Sequence, residues 1–352
     1  MMSSKNTVKE HTFSRPFVTE GGATIPEVTV AYQTWGQLNE AHDNAVLVCH
    51  ALTGNTHVDE WFGGLFGPGK ILDPNKYFII CPNVLGSCYG TTGPASINPE
   101  TGRPYRIDFP KVTVRDTVRL HQQLLDTLEI SGLAFAIGGS LGGMQVLEFS
   151  IMDDRPRKAI CIGMGKAHRP WTIGISHSQR QAIYNDPNWN DGYYTDENPP
   201  DKGLAIARMI AMNSYRTPRD FDTKFGRNRQ GDSTQFQIES YLRYQGQKLA
   251  DRFDAVAYVR LTQMMDSHDV ARGRGSYKKA LQNVDIPMVV AGIDTDLLYP
   301  VFEQKELARL LPNGHYAEIN SAHGHDAFLI EFEQMNKLFS PFLTKKKKSK
   351  AS

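Results

Sequence analysis

LAFAIGGSLGGMQVLEFSI, residues 133–151, is the stretch of sequence that decides the fold. It begins with a short apolar run typical of a buried strand, and a helix-forming segment follows its glycines. Between them, Gly138, Ser140 and Gly142 form the Gly-x-Ser-x-Gly pattern of a nucleophile elbow, a sharp turn that exposes a serine at a helix N-terminus. A phosphate-binding loop is the alternative, but the Rossmann glycine spacing and the Walker lysine are absent. The stretch therefore predicts Ser140 as a nucleophile.

Five further apolar runs of similar length, each bounded by turn residues, are spaced along the chain: 44–49, 77–81, 159–163, 287–291 and 316–319. Continuous apolar runs of this length are typical of strands buried on both faces of a parallel sheet. Residues 112–128 lie between two of these runs and carry apolar residues at helical spacing. The alternation predicts an α/β fold, with a mostly parallel central sheet flanked by helices.

One segment, 167–284, interrupts the alternation because it contains no convincing buried strand. We interpret it as a helical lid, inserted between two core strands and lying over the carboxyl ends of the strands, where it would shape a pocket. A separate helical domain with its own core is the alternative. The predicted division is a core of 1–166 and 285–344, the lid at 167–284, and a disordered basic tail at 345–352.

An elbow serine needs an acid and a histidine, in the chain order serine, acid, histidine. Two aspartates follow the run 287–291, and we favour Asp296 as the acid because it lies further past the strand than Asp294. Asp294 is expected to pair locally, as aspartates in turns often do. Cys88 lies in a glycine-rich loop and is a weak alternative nucleophile.

Two histidines follow the last apolar run. We favour His325 as the base over His323, because Gly-His-Asp at 324–326 reads as a tight turn into a helix. Together with Asp326, the two histidines could also ligate a metal ion. A further, distant ligand would then be required, and the sequence points to none, so we expect no metal.

Composition excludes several classes of function. Lys and Arg total 39 against 38 Asp and Glu, so the net charge of +1 offers no electrostatic footprint for nucleic acid or an anionic membrane. No apolar stretch reaches the roughly 18–20 residues that a spanning helix needs. The first fifteen residues lack the apolar region of a signal peptide, and the four cysteines lack metal or redox spacing. We therefore expect a cytoplasmic protein with free thiols.

Beyond the elbow, several segments give the chain a specific resemblance over about 330 residues. It resembles the homoserine O-acyltransferases, enzymes of methionine biosynthesis in the α/β-hydrolase superfamily. The segments that carry the resemblance are AYQTWG (31–36), HALTG (50–54), NVLGSCYGTTGP (83–94), GGSLGGMQ (138–145), ARMIA (207–211) and GHDAFL (324–329). The resemblance implies the α/β-hydrolase fold with an inserted helical lid.

The resemblance also implies roles for individual residues. Ser140 matches the nucleophile, Asp296 the acid and His325 the base, while the backbone amides of Leu52 and Leu141 match the oxyanion hole. Elementary chemistry agrees, because such a hole uses the amide after the nucleophile and one from an early strand–helix loop. Many relatives have methionine where this chain has Leu141, a volume-conserving change at a position that contributes only its amide.

Two further positions match residues that contact the amino-acid substrate in this family. Arg208 would face its carboxylate and Asp326 its ammonium. Without the resemblance, the simpler interpretations are a surface charge on the lid for Arg208 and a helix N-cap for Asp326.

The activity that the resemblance implies is transfer of an acetyl group from acetyl-CoA to the hydroxyl of homoserine, through an acyl-serine at Ser140. Acetyl-CoA is then a substrate, and no metal or redox cofactor is expected. A homodimer that associates through the lid helices is implied as well. The open alternatives are a succinyl donor, serine as acceptor, an esterase or thioesterase, and a non-enzymatic protein on the same fold, which would usually lack a complete triad.

Overall fold

The structure, a computed structural model, describes residues 7–344. The basic tail predicted at 345–352 therefore lies outside the described residues. The strands in chain order are β1 (Lys9–Phe13), β2 (Phe17–Val18), β3 (Thr24–Ile25), β4 (Val28–Trp35), β5 (Ala45–Cys49), β6 (Phe78–Pro82), β7 (Ile97–Asn98), β8 (Arg103–Pro104), β9 (Leu133–Gly139), β10 (Ala159–Ile162), β11 (Met288–Ile293) and β12 (Gly314–Ile319).

The α-helices of the same residues are α1 (Val58–Trp61), α2 (Val114–Thr127), α3 (Leu141–Met152), α4 (Pro170–Tyr184), α5 (Asp201–Tyr215), α6 (Pro218–Phe225), α7 (Gln237–Ala250), α8 (Ala255–Asp266), α9 (Tyr277–Leu281), α10 (Val301–Leu310) and α11 (Phe332–Thr344). No helix within residues 7–344 combines the length and the apolar character that a membrane crossing would require.

Eight of the described strands form the central sheet, in the order β1-β4-β6-β5-β9-β10-β11-β12. The six strands from β6 to β12 in this order run parallel, whereas β4 is antiparallel to both β1 and β6. The parallel part places the carboxyl ends of β5, β9, β11 and β12 along one edge, which is where ligands bind in such sheets.

All six strands predicted from apolar runs are present, which confirms the predicted α/β fold with a mostly parallel sheet. The expectation that 316–319 would be buried on both faces was wrong. β12 is the edge strand, and only Ile319 of its residues is fully buried. The sequence analysis did not identify β1 or β4, because β1 is a polar edge strand and β4 interleaves threonines and glutamine among its apolar residues.

Each face of the sheet has its own hydrophobic cluster. In β5, Leu47 and Cys49 belong to one cluster and Val46 and Val48 to the other, as the alternation of side chains along a strand requires. The first cluster is covered by α2, α3 and α8, and the second by α1 and α11. Burial on both faces explains why the parallel strands read as continuous apolar runs.

The turn from β9 to α3 leaves no room for side chains. A Cβ added to Gly138 would lie 2.4 Å from the carbonyl carbon of Gly142, and one added to Gly142 would lie 2.1 Å from the carbonyl oxygen of Cys49. Real Cβ contacts this short do not occur, so both positions must be glycine for helix α3 to start against β9 and β5.

The segment 167–284, all of it described, holds six α-helices, one short 3-10 helix (Asn190–Gly192) and no strand of a sheet. It is inserted between β10 and β11, and α5 packs between α4 and α7. Its buried residues Leu204, Leu249 and Tyr258 belong to the same hydrophobic cluster as the helices α2 and α3. The lid therefore has no hydrophobic core of its own.

We expect Gly142→Ala to lower the midpoint of thermal unfolding markedly, because the added methyl meets backbone that can move only with β5. Overpacking of this kind typically costs ~1–3 kcal/mol. Gly174→Ala in α4 is the matched control, since no atom lies within 4 Å of its added Cβ. The control should leave stability unchanged or raise it by up to about 1 kcal/mol. Equal midpoints for the two variants would contradict the close approach at the elbow.

Candidate active site

Ser140 lies at the junction of β9 and α3 with an unusual backbone conformation, φ 55° and ψ −126°. A non-glycine residue in this region is strained, at a cost of ~1–3 kcal/mol, and such strain is concentrated at functional sites. The backbone N–H of Ser140 donates to the carbonyl oxygen of Ile162 at 2.8 Å, which ties the turn to β10. The local geometry is that of the predicted elbow.

Asp296 and His325 come together at the ends of β11 and β12. The Nδ1 atom of His325 lies 2.7 Å from Oδ2 of Asp296, and both side chains are buried. The other carboxylate oxygen of Asp296 accepts hydrogen bonds from the backbone N–H groups of Leu298 and Tyr299, at 2.8 and 2.9 Å. These contacts orient the carboxylate towards the imidazole and favour the tautomer with a proton on Nδ1.

The second nitrogen of His325, Nε2, is buried and has no hydrogen-bond partner among the residues that the structure describes. Three aromatic rings surround the imidazole, with centroid distances of 5.7 Å to Tyr215, 5.3 Å to Tyr299 and 5.4 Å to Phe328. Because Asp296 occupies Nδ1, only Nε2 is available to exchange a proton with a reacting group.

The pKa of His325 reflects opposing effects. Burial by itself would lower it, but the negative charge and hydrogen bond of Asp296, with a smaller contribution from the charge of Asp326, raise it above its ordinary value. A base with a raised pKa binds a proton more strongly, so it can accept one from a hydroxyl more readily than an isolated imidazole can.

The competing candidates have other partners. Asp294 accepts a hydrogen bond from the backbone N–H of Ser321 at 2.9 Å, across to the loop after β12, so the expectation that it would pair within its own turn was wrong. His323 directs Nδ1 to Oδ1 of Asp220 in α6, at 2.7 Å. Neither Asp294 nor His323 lines the cavity that contains Ser140. Within residues 7–344, no group of three or more His, Cys, Asp or Glu side chains is arranged to hold a metal ion.

The two predicted oxyanion donors lie on separate segments, the first turn of α3 and the turn after β5. Leu141 is the first residue of α3, so its N–H is one of the first-turn amides that have no acceptor within the helix. Leu52 lies in the turn after β5, which closes through a 2.9 Å hydrogen bond from the N–H of Gly54 to the carbonyl of Ala51.

A buried glutamine of α3 joins the first turn of that helix to the segment after β5. The side-chain amide of Gln145 donates to the carbonyl oxygens of His50 and Leu141, each at 3.2 Å. The imidazole of His50 is itself held by Asn83, whose Oδ1 lies 2.7 Å from its Nε2. The sequence analysis did not assign Gln145 this part, although a polar residue in a largely apolar helix was a usable signal.

Ser140 and His325 open into one cavity of about 600 Å³. Leu52, Arg208 and Asp326 line the same cavity, so the structure brings five of the seven predicted site residues to one space. The other two lie behind it, since Asp296 is covered by His325 and Leu141 begins the buried helix α3.

Arg208 enters the cavity from helix α5 of the lid. Its guanidinium carbon lies 5.4 Å from the ring centroid of Tyr215, and no carboxylate of the described residues is within ion-pair distance of it. Arg208 and Tyr215 are seven residues apart, which is two turns of one helix face, so helical spacing could have pointed to Tyr215. The cavity therefore contains a cation that forms no direct ion pair within residues 7–344.

Asp326 does not cap a helix, because the cap position of the short 3-10 helix Gly324–Leu329 is His323. The interpretation as an N-cap was wrong. Its carboxylate forms an ion pair with Arg216, whose Nε lies 3.0 Å from Oδ2. Burial raises the pKa of Asp326 above its ordinary range, although the charges of Arg216 and Arg208 act in the opposite direction.

The lid is attached to the histidine loop at the α5–α6 junction. Besides the Asp326–Arg216 ion pair and the contact of His323 with Asp220, the hydroxyl of Thr217 donates to the carbonyl oxygen of Ala322 at 2.6 Å. The sequence analysis predicted the lid but not this attachment. Residues such as Arg216 and Asp220 gave no signal, because charged residues on a helix are usually exposed.

The chain has several similarities to known proteins. The family model for the α/β-hydrolase fold matches residues 44–332. The homoserine O-acetyltransferase of Chloroherpeton thalassium is 54% identical over 331 residues, covering 94% of this chain and 87% of that protein. The crystal structure of homoserine O-acetyltransferase from Bacillus anthracis superposes with a TM-score of 0.89 at 29% identity, covering 96% and 98% of the two chains. The crystal structure of esterase E22 gives a TM-score of 0.88 at 27% identity, covering 96% and 100%.

We expect Asp296→Asn to slow the reaction of Ser140 with a serine-directed organophosphorus reagent by ~10³–10⁴-fold, because an amide stabilises the wrong imidazole tautomer. In the unaltered protein, the rate should rise with pH through the pKa of His325. Any residual reaction of the variant should have its midpoint at lower pH, because loss of the Asp296 charge lowers that pKa. The measurement is the pH profile of labelling followed by intact mass.

Asp294→Asn is the matched control, since within residues 7–344 the hydrogen bond of this carboxylate goes to the backbone N–H of Ser321. Its profile should match that of the unaltered protein. A larger effect of Asp294→Asn than of Asp296→Asn would show that Asp294 is the acid.

Proposed function

The chain belongs to the homoserine O-acetyltransferase family of the α/β-hydrolase fold, and from this premise we propose that it transfers an acetyl group to the hydroxyl of L-homoserine in methionine biosynthesis. The donor that we propose is acetyl-CoA. One observation carries the proposal for this chain: a single cavity contains Ser140 and His325 together with a cation, Arg208, and a carboxylate, Asp326. Such a pair matches the two charges of a free amino acid.

In the first half-reaction, we propose that Ser140 attacks the carbonyl carbon of the thioester while Nε2 of His325 takes the hydroxyl proton. Asp296 stabilises the imidazolium that forms, in keeping with its 2.7 Å contact to Nδ1. The amides of Leu52 and Leu141 would hold the developing oxyanion. The tetrahedral intermediate then expels the thiol, which receives the proton from His325, and an acetyl-serine remains.

In the second half-reaction, the homoserine hydroxyl attacks the acetyl-serine, and His325 again serves as base. Arg208 would bind the carboxylate of homoserine, because its guanidinium faces the cavity and forms no direct ion pair within the described residues. Asp326 would bind the ammonium through the carboxylate oxygen that Arg216 does not contact. Holding both ends of the amino acid orients its hydroxyl, and orientation lets the alcohol compete with water.

An esterase or thioesterase is the strongest rival, because water and an alcohol use the same serine and histidine. The structural similarity to esterase E22 supports this alternative. A hydrolase has no need for opposite charges beside the acyl-serine, so Arg208 and Asp326 favour an amino-acid acceptor. Serine as acceptor and succinyl-CoA as donor are outcomes of the same assay.

The proposed chemistry needs no metal or redox cofactor, since proton transfer and nucleophilic attack are supplied by Ser140, His325 and Asp296. CoA is a substrate in this reaction. We place the protein in the cytoplasm, because all four cysteines are unpaired and disulfides are rare there. Its partners are then small molecules and a second copy of the chain.

To test the proposal, the protein is incubated with acetyl-CoA, and thiol release and intact mass are followed with and without homoserine. We expect a burst of thiol, a mass gain of one acetyl group, and sustained turnover only with homoserine. Ser140→Ala should abolish all three. Equal turnover without homoserine would identify a thioesterase, and activity only with succinyl-CoA or only with serine would reassign the donor or the acceptor.

The same assay isolates the acceptor site. Arg208→Gln should raise KM for homoserine by at least about tenfold, the value of one charge-assisted hydrogen bond, while the acetyl-enzyme still forms. Arg219→Gln, an exposed arginine of α6, is the matched control and should keep the original KM. An unchanged KM for homoserine in Arg208→Gln would contradict the proposed contact between Arg208 and the carboxylate of homoserine.

We propose a homodimer through the lid helices. Ile206 of α5 and Tyr244 of α7 are 47% and 60% exposed, and these helices pack side by side, so both side chains offer apolar surface on the lid. Light scattering should give twice the chain mass of 39.5 kDa. Tyr244→Asp should weaken association, whereas Val18→Asp, at an exposed apolar position outside the lid, should not. A monomer at all concentrations would refute the dimer.

A further inference from the structure

Two cations lie on the cavity wall where α7 ends. Lys248 is in the last turn of α7 and Arg252 follows it by four residues, and both line the cavity that contains Ser140. Both side chains are exposed, in contrast to Ser140, which is 5% exposed. The cavity therefore runs from a buried serine to an exposed, positively charged rim.

Neither cation is neutralised by the described part of the chain. The ammonium of Lys248 lies 6.0 Å from the ring centroid of Tyr244, and the guanidinium of Arg252 donates to neutral oxygens, the carbonyl of Thr53 at 3.0 Å and the hydroxyl of Tyr89. No carboxylate within residues 7–344 is in ion-pair distance of either one. Exposed cations without partners are common singly, but here two share one cavity wall.

The charges of the cavity exceed what the proposed acceptor can use. A zwitterionic amino acid would occupy Arg208 and Asp326, one charge each. Lys248 and Arg252 remain, and among the described residues the only other carboxylate on the wall is Glu60. The chain as a whole carries a net charge of only +1, so this local excess of positive charge is not a reflection of composition.

We propose that Lys248 and Arg252 bind the phosphate groups of a nucleotide-bearing thioester donor. This inference rests on the proposed function, which requires such a donor to reach Ser140. The reacting thioester must lie at the buried serine, whereas strongly hydrated phosphates are bound at least cost where they keep part of their water. An exposed cationic rim joined by one cavity to a buried nucleophile fits both requirements.

Arg252 has N–H donors available for this contact. A guanidinium has five N–H donors, and the contacts to Thr53 and Tyr89 engage only its Nη1 atom. Thr53 follows Leu52 in the chain, so Arg252 also supports the loop that carries a proposed oxyanion donor. Among the described residues, Lys248 makes no such contact with the loop of Leu52 and Thr53. The test therefore rests on Lys248.

The experiment compares two donors that differ in the nucleotide: acetyl-CoA and S-acetyl-N-acetylcysteamine, a short thioester without phosphates. In Lys248→Met, we expect the ratio of kcat/KM values, acetyl-CoA over the short thioester, to fall about tenfold, and Lys248→Arg should restore it. Lys202→Met, an exposed lysine of α5 outside the cavity, is the matched control and should keep the original ratio. Added salt should lower the ratio more in the unaltered protein than in Lys248→Met, because it screens the phosphate contact.

Direct binding separates this inference from the proposed function. Calorimetry should give a Kd for CoA about tenfold higher in Lys248→Met than in the unaltered protein, with the Kd for pantetheine the same in both. The inference is overturned if the donor ratio and the CoA Kd of Lys248→Met equal those of the unaltered protein, or if CoA does not bind. If CoA binding depends on Lys248 but no acetylhomoserine forms, the donor site stands and the acceptor assignment falls.

Discussion

The tightest constraint in this fold is the contact of helix α3 with strands β9 and β5 at the Ser140 turn. Only glycine is tolerated at the two points of contact, because a single added carbon would lie 2.1–2.4 Å from backbone atoms. The contact forces Ser140 into a left-handed conformation, and the strain is offset by the hydrogen bond from its N–H to β10 and by the buried face of α3. The same contact brings the start of α3 against the loop after β5, so that Leu52 and Leu141 come from adjacent segments.

Beyond this turn, the rest of the site is held together by contacts between separate segments of the chain and not by one rigid element. Strands β11 and β12 end beside each other, which brings Asp296 to His325. The lid is then joined to the histidine loop through Arg216, Asp220 and Thr217. Because the same loop carries the base and the lid carries Arg208, a displacement of the lid would disturb the proposed acceptor contacts and the position of His325 together.

The charged side chains on the cavity wall differ between its buried and its exposed part. Arg208 and Asp326 offer one charge of each sign, whereas the exposed part of the wall carries two cations, Lys248 and Arg252, and one carboxylate, Glu60, and is therefore net positive. Buried charges are costly unless a ligand or partner neutralises them, and exposed ones are not. This ordering suits an acceptor that is neutral overall and lies deep, and a donor whose anionic part stays near solvent.

The sequence by itself determined the parallel sheet, the elbow and the order of nucleophile, acid and base, because these depend on local patterns. Short apolar runs make buried strands, and Gly138 and Gly142 permit the strained turn. The choice of Asp296 over Asp294 and of His325 over His323 was also made from local sequence; in the structure, the side chains of Asp296 and His325 contact each other, whereas Asp294 and His323 have other partners. Only the tertiary structure decided which lid residues reach the cavity, that Arg216 pairs with Asp326, and that β12 is a half-exposed edge. These features depend on contacts between segments as far apart as Arg216 and Asp326, or Arg252 and Thr53, and no local pattern of charge or hydrophobicity specifies which distant residue a side chain will meet.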